Sequence, residues 1–260
     1  MSFGPTWLID LDGVIWLGDT VIPGARDAVG ALRARNQRVA FFTNNSSVTR
    51  AELLAKLESF GIAVAKEELL TSSEAAAAMC SRGERAFVLG GAGIREALQE
   101  RGVIIVEAEG MGTAVPVDVV VIGLDRELNF ARLTIAMRAI RGGARFLATN
   151  EDATFPVGDG LLPGAGALVT ALTYATGVRP VVAGKPNAGA VELVRARLGE
   201  VNVVVGDRPS TDGELARRLG ACFGLVYSGV TRPGEIPPDI PPDLEASDIA
   251  VLLAKAFERT

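Results

Sequence analysis

Histidine is absent from the 260-residue chain. That excludes Ser–His–Asp and Cys–His catalytic pairs, phosphohistidine chemistry and His-ligated zinc. Nucleophilic and acid–base work therefore falls to Asp, Glu, Lys, Cys, Ser, Thr or Tyr. Cysteine is scarce: Cys80 and Cys222 lie far apart. They read as small buried hydrophobes in a reducing, cytoplasmic setting, not as a disulfide framework. No apolar run approaches the roughly 20 residues that cross a bilayer. The N-terminus reaches Asp10 and Asp12 without a basic stretch or cleavage site, so neither a membrane span nor a signal peptide is expected. Lys and Arg total 26 against 31 Asp and Glu, a formal net charge of −5, and no basic patch forms. Nucleic acid and membrane are thus not expected partners. Aromatic residues make up only 5%, which leaves few rings to stack on a planar ligand and favours small aliphatic ones.

What is present is an apolar chain, 48% hydrophobic, long enough to bury roughly three quarters of its unfolded surface in one large or two smaller domains. β-rich runs alternate with helical patterns. Strands are expected at 7–11, 38–43, 86–89, 117–122, 145–148, 180–183, 201–205 and 222–227. Helices are expected at 25–35, 74–82, 130–140, 165–175, 188–198 and 213–219, with another that opens on a Thr49–Glu52 capping box and stops before Gly61. This alternation predicts an α/β fold, a doubly wound parallel sheet covered by helices. Near-continuous Val/Ile runs such as 201–205 fit strands buried on both sides. The proline-rich stretch 233–242 predicts a surface loop before a short last helix. Gly90-Gly91-Ala92-Gly93 predicts a strand–helix turn; a lone glycine cluster is a weak dinucleotide signal.

Four segments sit at the C-terminal ends of apolar strands, where open α/β sheets bind ligands. Asp10-Leu11-Asp12-Gly13 places two carboxylates on one side of a strand. Such a pair can hold a hard cation while one member attacks phosphorus, or can simply end a strand in a polar turn. Thr43-Asn44-Asn45 offers a hydroxyl, amides and backbone N–H groups to phosphate oxygens, or a self-satisfied turn. Gly184-Lys185-Pro186 brings a cation to phosphate, or a solvated lysine before a helix. In Gly206-Asp207-Arg208-Pro209-Ser210-Thr211-Asp212, Asp207 can ligate a metal, and Thr211 or Asp212 can serve as a helix cap.

Taken together, these segments resemble the haloacid dehalogenase superfamily of phosphatases, in the subclass of NagD-like, p-nitrophenylphosphatase-like and phosphoglycolate phosphatase-like enzymes. The resemblance continues through Val121-Ile122-Gly123-Leu124-Asp125-Arg126, Ala148-Thr149-Asn150-Glu151-Asp152, Leu162-Pro163-Gly164-Ala165-Gly166 and Ser228-Gly229-Val230-Thr231. Glu151 stands where the family often has proline, which adds a carboxylate at the mouth of the expected site.

The resemblance implies a Rossmann-like core of residues 1–70 and 180–260 and an inserted α/β cap of the C2 type at 71–179. It implies Mg2+ held by Asp10, the Asp12 backbone carbonyl and Asp207, with Asp212 supporting the metal's water shell. Asp10 would be the nucleophile and Asp12 the general acid–base. Thr43, Asn44, Asn45 and Lys185 would bind phosphate. The cap segment with Asn150, Asp152 and Phe155 would face the leaving group of a small phosphorylated metabolite. Phosphoglycolate, glycerol phosphate, nucleotides and sugar phosphates all remain open, as does a homodimer formed through the cap. Three rivals stand beside this reading: a phosphoacceptor signalling domain, a metal-free dehalogenase of the same fold, and a catalytically silent binding protein.

Overall fold

The computed structural model describes residues 6–107, 116–157 and 160–258. Two parallel sheets organise them. The first has six strands in the order Leu244–Ala246, Cys222–Val226, Val203–Gly206, Thr6–Ile9, Arg38–Thr43, Leu69–Thr71. The second has five, in the order Val181–Val182, Arg145–Ala148, Val119–Ile122, Arg85–Leu89, Ile104–Ile105. Every pairing within both is parallel.

The central strands of each sheet are buried on both faces, which is why Val203–Gly206 and Val119–Ile122 are apolar throughout. In the first sheet Trp7 and Ile9 point to one face, toward helices Ala25–Ala34, Arg50–Ser59 and Ile249–Glu258; Leu8 points to the other, toward Ala188–Leu198 and Glu214–Leu219. In the second sheet Val119 and Val121 face helices Ser72–Ala78 and Ala92–Glu100, while Val120 and Ile122 face Phe130–Arg141 and Ala165–Thr176. Full burial of one such side chain stabilises the fold by roughly 1.5–3 kcal/mol. No helix among the described residues is long and apolar enough to cross a membrane.

The expected capping box is present. The Thr49 hydroxyl accepts the Glu52 N–H at 3.2 Å, and Glu52 Oε2 accepts the Thr49 N–H at 2.7 Å. A second box, Thr71 with Glu74, starts a helix at Ser72, two residues before the expected start, and that helix stops at Ala78 instead of residue 82. The strands Leu69–Thr71 and Leu244–Ala246 were not expected. Each is a three-residue edge strand, too short to show periodicity. Val181–Val182, which a boundary at residue 180 assigns to the first unit, pairs with Leu147 and Ala148 in the second sheet. Both cysteines are free, Cys80 buried and Cys222 partly so.

The two sheets meet through an ionic cluster and close backbone contacts. Arg50, 8% exposed, pairs with Glu74 and Glu100, and its N–H donates to Glu96 at 2.7 Å. Gly91 lies so near Ser47 that a Cβ there would sit 2.1 Å from the Ser47 carbonyl oxygen.

Candidate active site

The site forms where the strands Thr6–Ile9, Arg38–Thr43 and Val203–Gly206 end side by side, the position at which doubly wound sheets accept ligands. Asp10 extends its strand by one ladder bond, its N–H donating to Val205 O at 2.9 Å. Gly13 then turns the chain at φ +85°, and a Cβ there would lie 2.6 Å from Asp207 Oδ2. Only glycine permits both the left-handed backbone and the close approach.

Asp12 is held at both oxygens. The Trp16 indole N–H donates to Oδ1 at 2.9 Å and the Thr43 hydroxyl donates to Oδ2 at 3.2 Å. Trp16 opens a small hairpin (Trp16–Leu17 against Thr20–Val21) and is 1% exposed. Lys56 seats this hairpin on its helix: its Nζ lies 4.7 Å from the Trp16 ring centroid and donates to Gly18 O at 2.7 Å.

Lys185, 4% exposed, reaches Asp10 Oδ1 at 2.8 Å and Asp212 Oδ1 at 2.7 Å. Asp207 Oδ2 accepts the Val230 N–H at 2.6 Å, whereas its buried Oδ1 has no hydrogen-bond partner. Asp212 sits in a wide turn where the Arg208 carbonyl accepts from the N–H groups of Thr211, Asp212 and Gly213. Carboxylate oxygens of Asp10, Asp207 and Asp212 all lie within 4.8 Å of one another.

Charge within this cluster does not balance. Burial drives the Asp10 carboxyl well above its usual range; Lys185 opposes that, and Asp212 and Asp207 add to it. Burial, then the Asp212 charge, pushes Asp207 up to about 7. Burial alone would lower the Lys185 pKa, but Asp10 and Asp212 outweigh it and hold the ammonium charged. Three carboxylates facing one ammonium leave the site short of positive charge. A hard divalent cation with oxygen ligands meets that need, and the orphaned Asp207 Oδ1 is a ready ligand.

The Thr43-Asn44-Asn45 turn is largely bonded to itself and to its neighbours. Thr43 Oγ1 also accepts the Asn45 N–H at 2.9 Å, and Asn45 Oδ1 accepts the Ser47 N–H at 3.0 Å. Asn44 Oδ1 accepts the Lys185 N–H at 2.9 Å, and its Nδ2 donates to Lys185 O and to Asp152, both at 3.2 Å. Asn150 is a bolt from the second sheet: its amide donates to Asn44 O at 2.8 Å and its Oδ1 accepts the Asp152 N–H at 3.1 Å.

These residues line a cleft of about 670 Å³, counting its open mouth. Asp10, Asp12, Thr43, Asn44, Asn45 and Lys185 form one wall; Asn150, Asp152, Phe155, Arg126 and Arg208 contribute to the rest. Burial raises the Asp152 carboxyl, against the pull of Arg208 and Lys185. Glu151 is exposed. Sequence reasoning missed Trp16, Arg126 and Arg208 as site residues. The i, i+4 spacing of Asp12 and Trp16 carries no signal outside the turn that Gly13 makes, and Arg126 and Arg208 stood inside matched segments without an assigned part.

This fold and this strand-end set of carboxylates and lysine fit a class: phosphohydrolases built on a doubly wound parallel sheet. Residues 7–104 match the family model described as haloacid dehalogenase-like hydrolase, and residues 182–252 match a second, HAD-hydrolase-like model. A 5'-nucleotidase of Bacillus subtilis, YutF, is 37% identical over 248 residues, covering 93% of this chain and 94% of the relative. A p-nitrophenyl phosphatase from Archaeoglobus fulgidus superposes with a TM-score of 0.85 at 32% identity, covering 97% of this chain and 98% of the other. A glycerol phosphate phosphatase from Mycobacterium tuberculosis, solved with magnesium, gives 0.85 at 32% identity, covering 96% of this chain and 76% of the other. The chain belongs to the haloacid dehalogenase-like hydrolases, in their NagD-like phosphatase subclass. It is therefore an enzyme of the phosphomonoesterase class.

Proposed function

We propose that the chain is a magnesium-dependent phosphatase of small phosphate monoesters, working through an aspartyl-phosphate on Asp10. The observation that carries this reading is the buried cluster of Asp10, Lys185, Asp207 and Asp212, in which Asp207 Oδ1 has no hydrogen-bond partner. Asp10, Asp207 and the Asp12 carbonyl would hold the cation, with Asp212 in support. When bound, magnesium supplies charge that screens an anionic nucleophile from an anionic phosphate.

The remaining steps belong to the chain's own groups. Lys185 fixes the Asp10 carboxylate and presents its ammonium to the phosphate. The carboxylate forms a bond to phosphorus as the bond to the leaving oxygen breaks, and Asp12 gives that oxygen a proton. Asp12 next takes a proton from the water that attacks phosphorus, which frees phosphate and restores Asp10. Phosphate monoesters are among the slowest species to hydrolyse unaided, needing acceleration of up to ~10²¹-fold, so positioning of this kind is essential. The unit built on the second sheet serves as the cap, excluding water and shaping the leaving-group side. Removing divalent metal with EDTA is expected to abolish hydrolysis of p-nitrophenyl phosphate, and added magnesium to restore it. Undiminished turnover in excess chelator would overturn the reading.

A further inference from the structure

Lys56 takes no part in the chemistry above and does not line the cleft, yet its ammonium is aimed at the hairpin behind Asp12. A lysine in the last turn of a helix suits the helix dipole by staying near the last carbonyls. The Lys56 ammonium turns instead to three groups of one hairpin. Its Nζ stands over the Trp16 ring and donates to Gly18 O, and Asp19 Oδ1 lies 3.3 Å away. Asp19 is fully exposed, so that ion pair contributes little. The Lys56 side chain is only 29% exposed, and a partly desolvated ammonium over an indole is the stronger form of that contact. Phe60, four residues on and so on the same helix face, sets its ring centroid 6.0 Å from that of Trp16.

The hairpin has two residues in each strand, and a two-stranded ribbon of that size does not hold its shape alone in water. Its position decides where Asp12 sits. The Trp16 indole donates to Asp12 Oδ1, and the Trp16 carbonyl accepts the Gly13 N–H at 2.7 Å. A tilt of the ring therefore moves the Asp12 carboxyl relative to the leaving oxygen. A general acid works only within hydrogen-bond reach of its target, and a shift of ~1 Å can cost ~10²-fold in rate. The helix that carries Lys56 is a firm support. Its first turn is closed by the Thr49–Glu52 box, and Arg50 pairs with Glu74 and Glu100 across the seam between the two sheets.

We propose that Lys56 is a positioning residue for proton transfer: its ammonium clamps Trp16, and Trp16 holds the Asp12 carboxyl where it can protonate the leaving oxygen. This rests on the phosphatase reading above and extends its machinery to a side chain outside the cleft.

The test measures kcat/KM, which covers the steps through departure of the alcohol, for p-nitrophenyl, phenyl and p-methoxyphenyl phosphate with magnesium. The leaving oxygen becomes more basic along that series, so its need for a proton rises. Lys56→Met keeps the apolar stem and removes the cation and its donors. It is expected to lose about 10-fold more on p-methoxyphenyl than on p-nitrophenyl phosphate, a part of the ~10²–10⁴-fold that a general acid supplies. Lys56→Arg keeps a cation over the ring and is expected to restore most of that loss. Should thermal unfolding show that Lys56→Met is not folded, Lys56→Gln, which keeps a donor for Gly18 O, is expected to show the same trend along the series. An equal loss on all three esters would make Lys56 a structural staple alone and overturn the proposal, as would no loss on any. A wild type that hydrolyses none of the three removes the phosphatase reading, and the role of Lys56 with it.

Discussion

The two sheets are built alike and end differently. Each is parallel, each is buried on both faces, and the C-terminal strand ends of both border the same cleft. On the first sheet the strands end in Asp10, Thr43 and Asp207, groups that carry charge or move protons. On the second they end near Gly91, Gly123 and Thr149, groups chosen for size. A Cβ at Gly123 would lie 2.5 Å from Ser46 Oγ and 2.7 Å from Thr149 Oγ1. The Ser46 and Thr149 hydroxyls themselves bond at 2.9 Å. One fold thus supplies the carboxylates from the first sheet and a fitted wall from the second, whose edge strand Val181–Val182 also leads into Lys185. The difference between them lies in one or two residues past each strand.

That contrast predicts a ranking of effects. Asp10→Asn removes the attacking charge while keeping shape, and is expected to lower kcat for p-nitrophenyl phosphate by at least ~10⁴-fold. Thermal unfolding checks that the protein remains folded, and substantial residual turnover would break the assignment of chemistry to the first sheet. Trp16→Phe keeps a buried ring but deletes the N–H that holds Asp12. We expect kcat to fall about 10–100-fold with KM little changed, since Asp12 acts on the leaving oxygen and on water and not in binding. A KM effect alone would instead make Trp16 part of the binding wall. Gly91→Ala pushes a methyl into the Ser47 carbonyl, so the turn carrying Thr43 and Asn44 must shift. The expected cost is about 1–3 kcal/mol of stability by chemical denaturation, with a several-fold loss of kcat/KM. A silent Gly91→Ala would show that the two sheets are not fitted to each other at this seam.

The sequence made the first sheet more legible than the second. Strand ends there carry charged residues after apolar runs, so Asp10 and Asp207 stood out, as did Lys185 past the second sheet's edge strand Val181–Val182, and the cluster they form with Asp212 is what the structure brings together. The capping box at Thr49 was readable because its pattern is local. Three things were not readable. Leu69–Thr71 and Leu244–Ala246 are strands only because a neighbouring strand pairs with them. The amides of Asn44 and Asn150 looked like ligands for phosphate and substrate, but partners more than 100 positions away already engage them. Trp16 is buried in the core, yet its one polar atom meets Asp12. Side chains with a single polar handle hide their function until the fold places that atom.

The central claim is that Asp10 becomes phosphorylated. Asp12→Asn slows removal of the phosphoryl group by water, so the intermediate should accumulate when the variant is mixed with p-nitrophenyl phosphate and magnesium. Acid quenching, borohydride reduction and peptide mass spectrometry are then predicted to find homoserine at position 10. Unmodified aspartate there, or modification at another residue during turnover, would contradict the account.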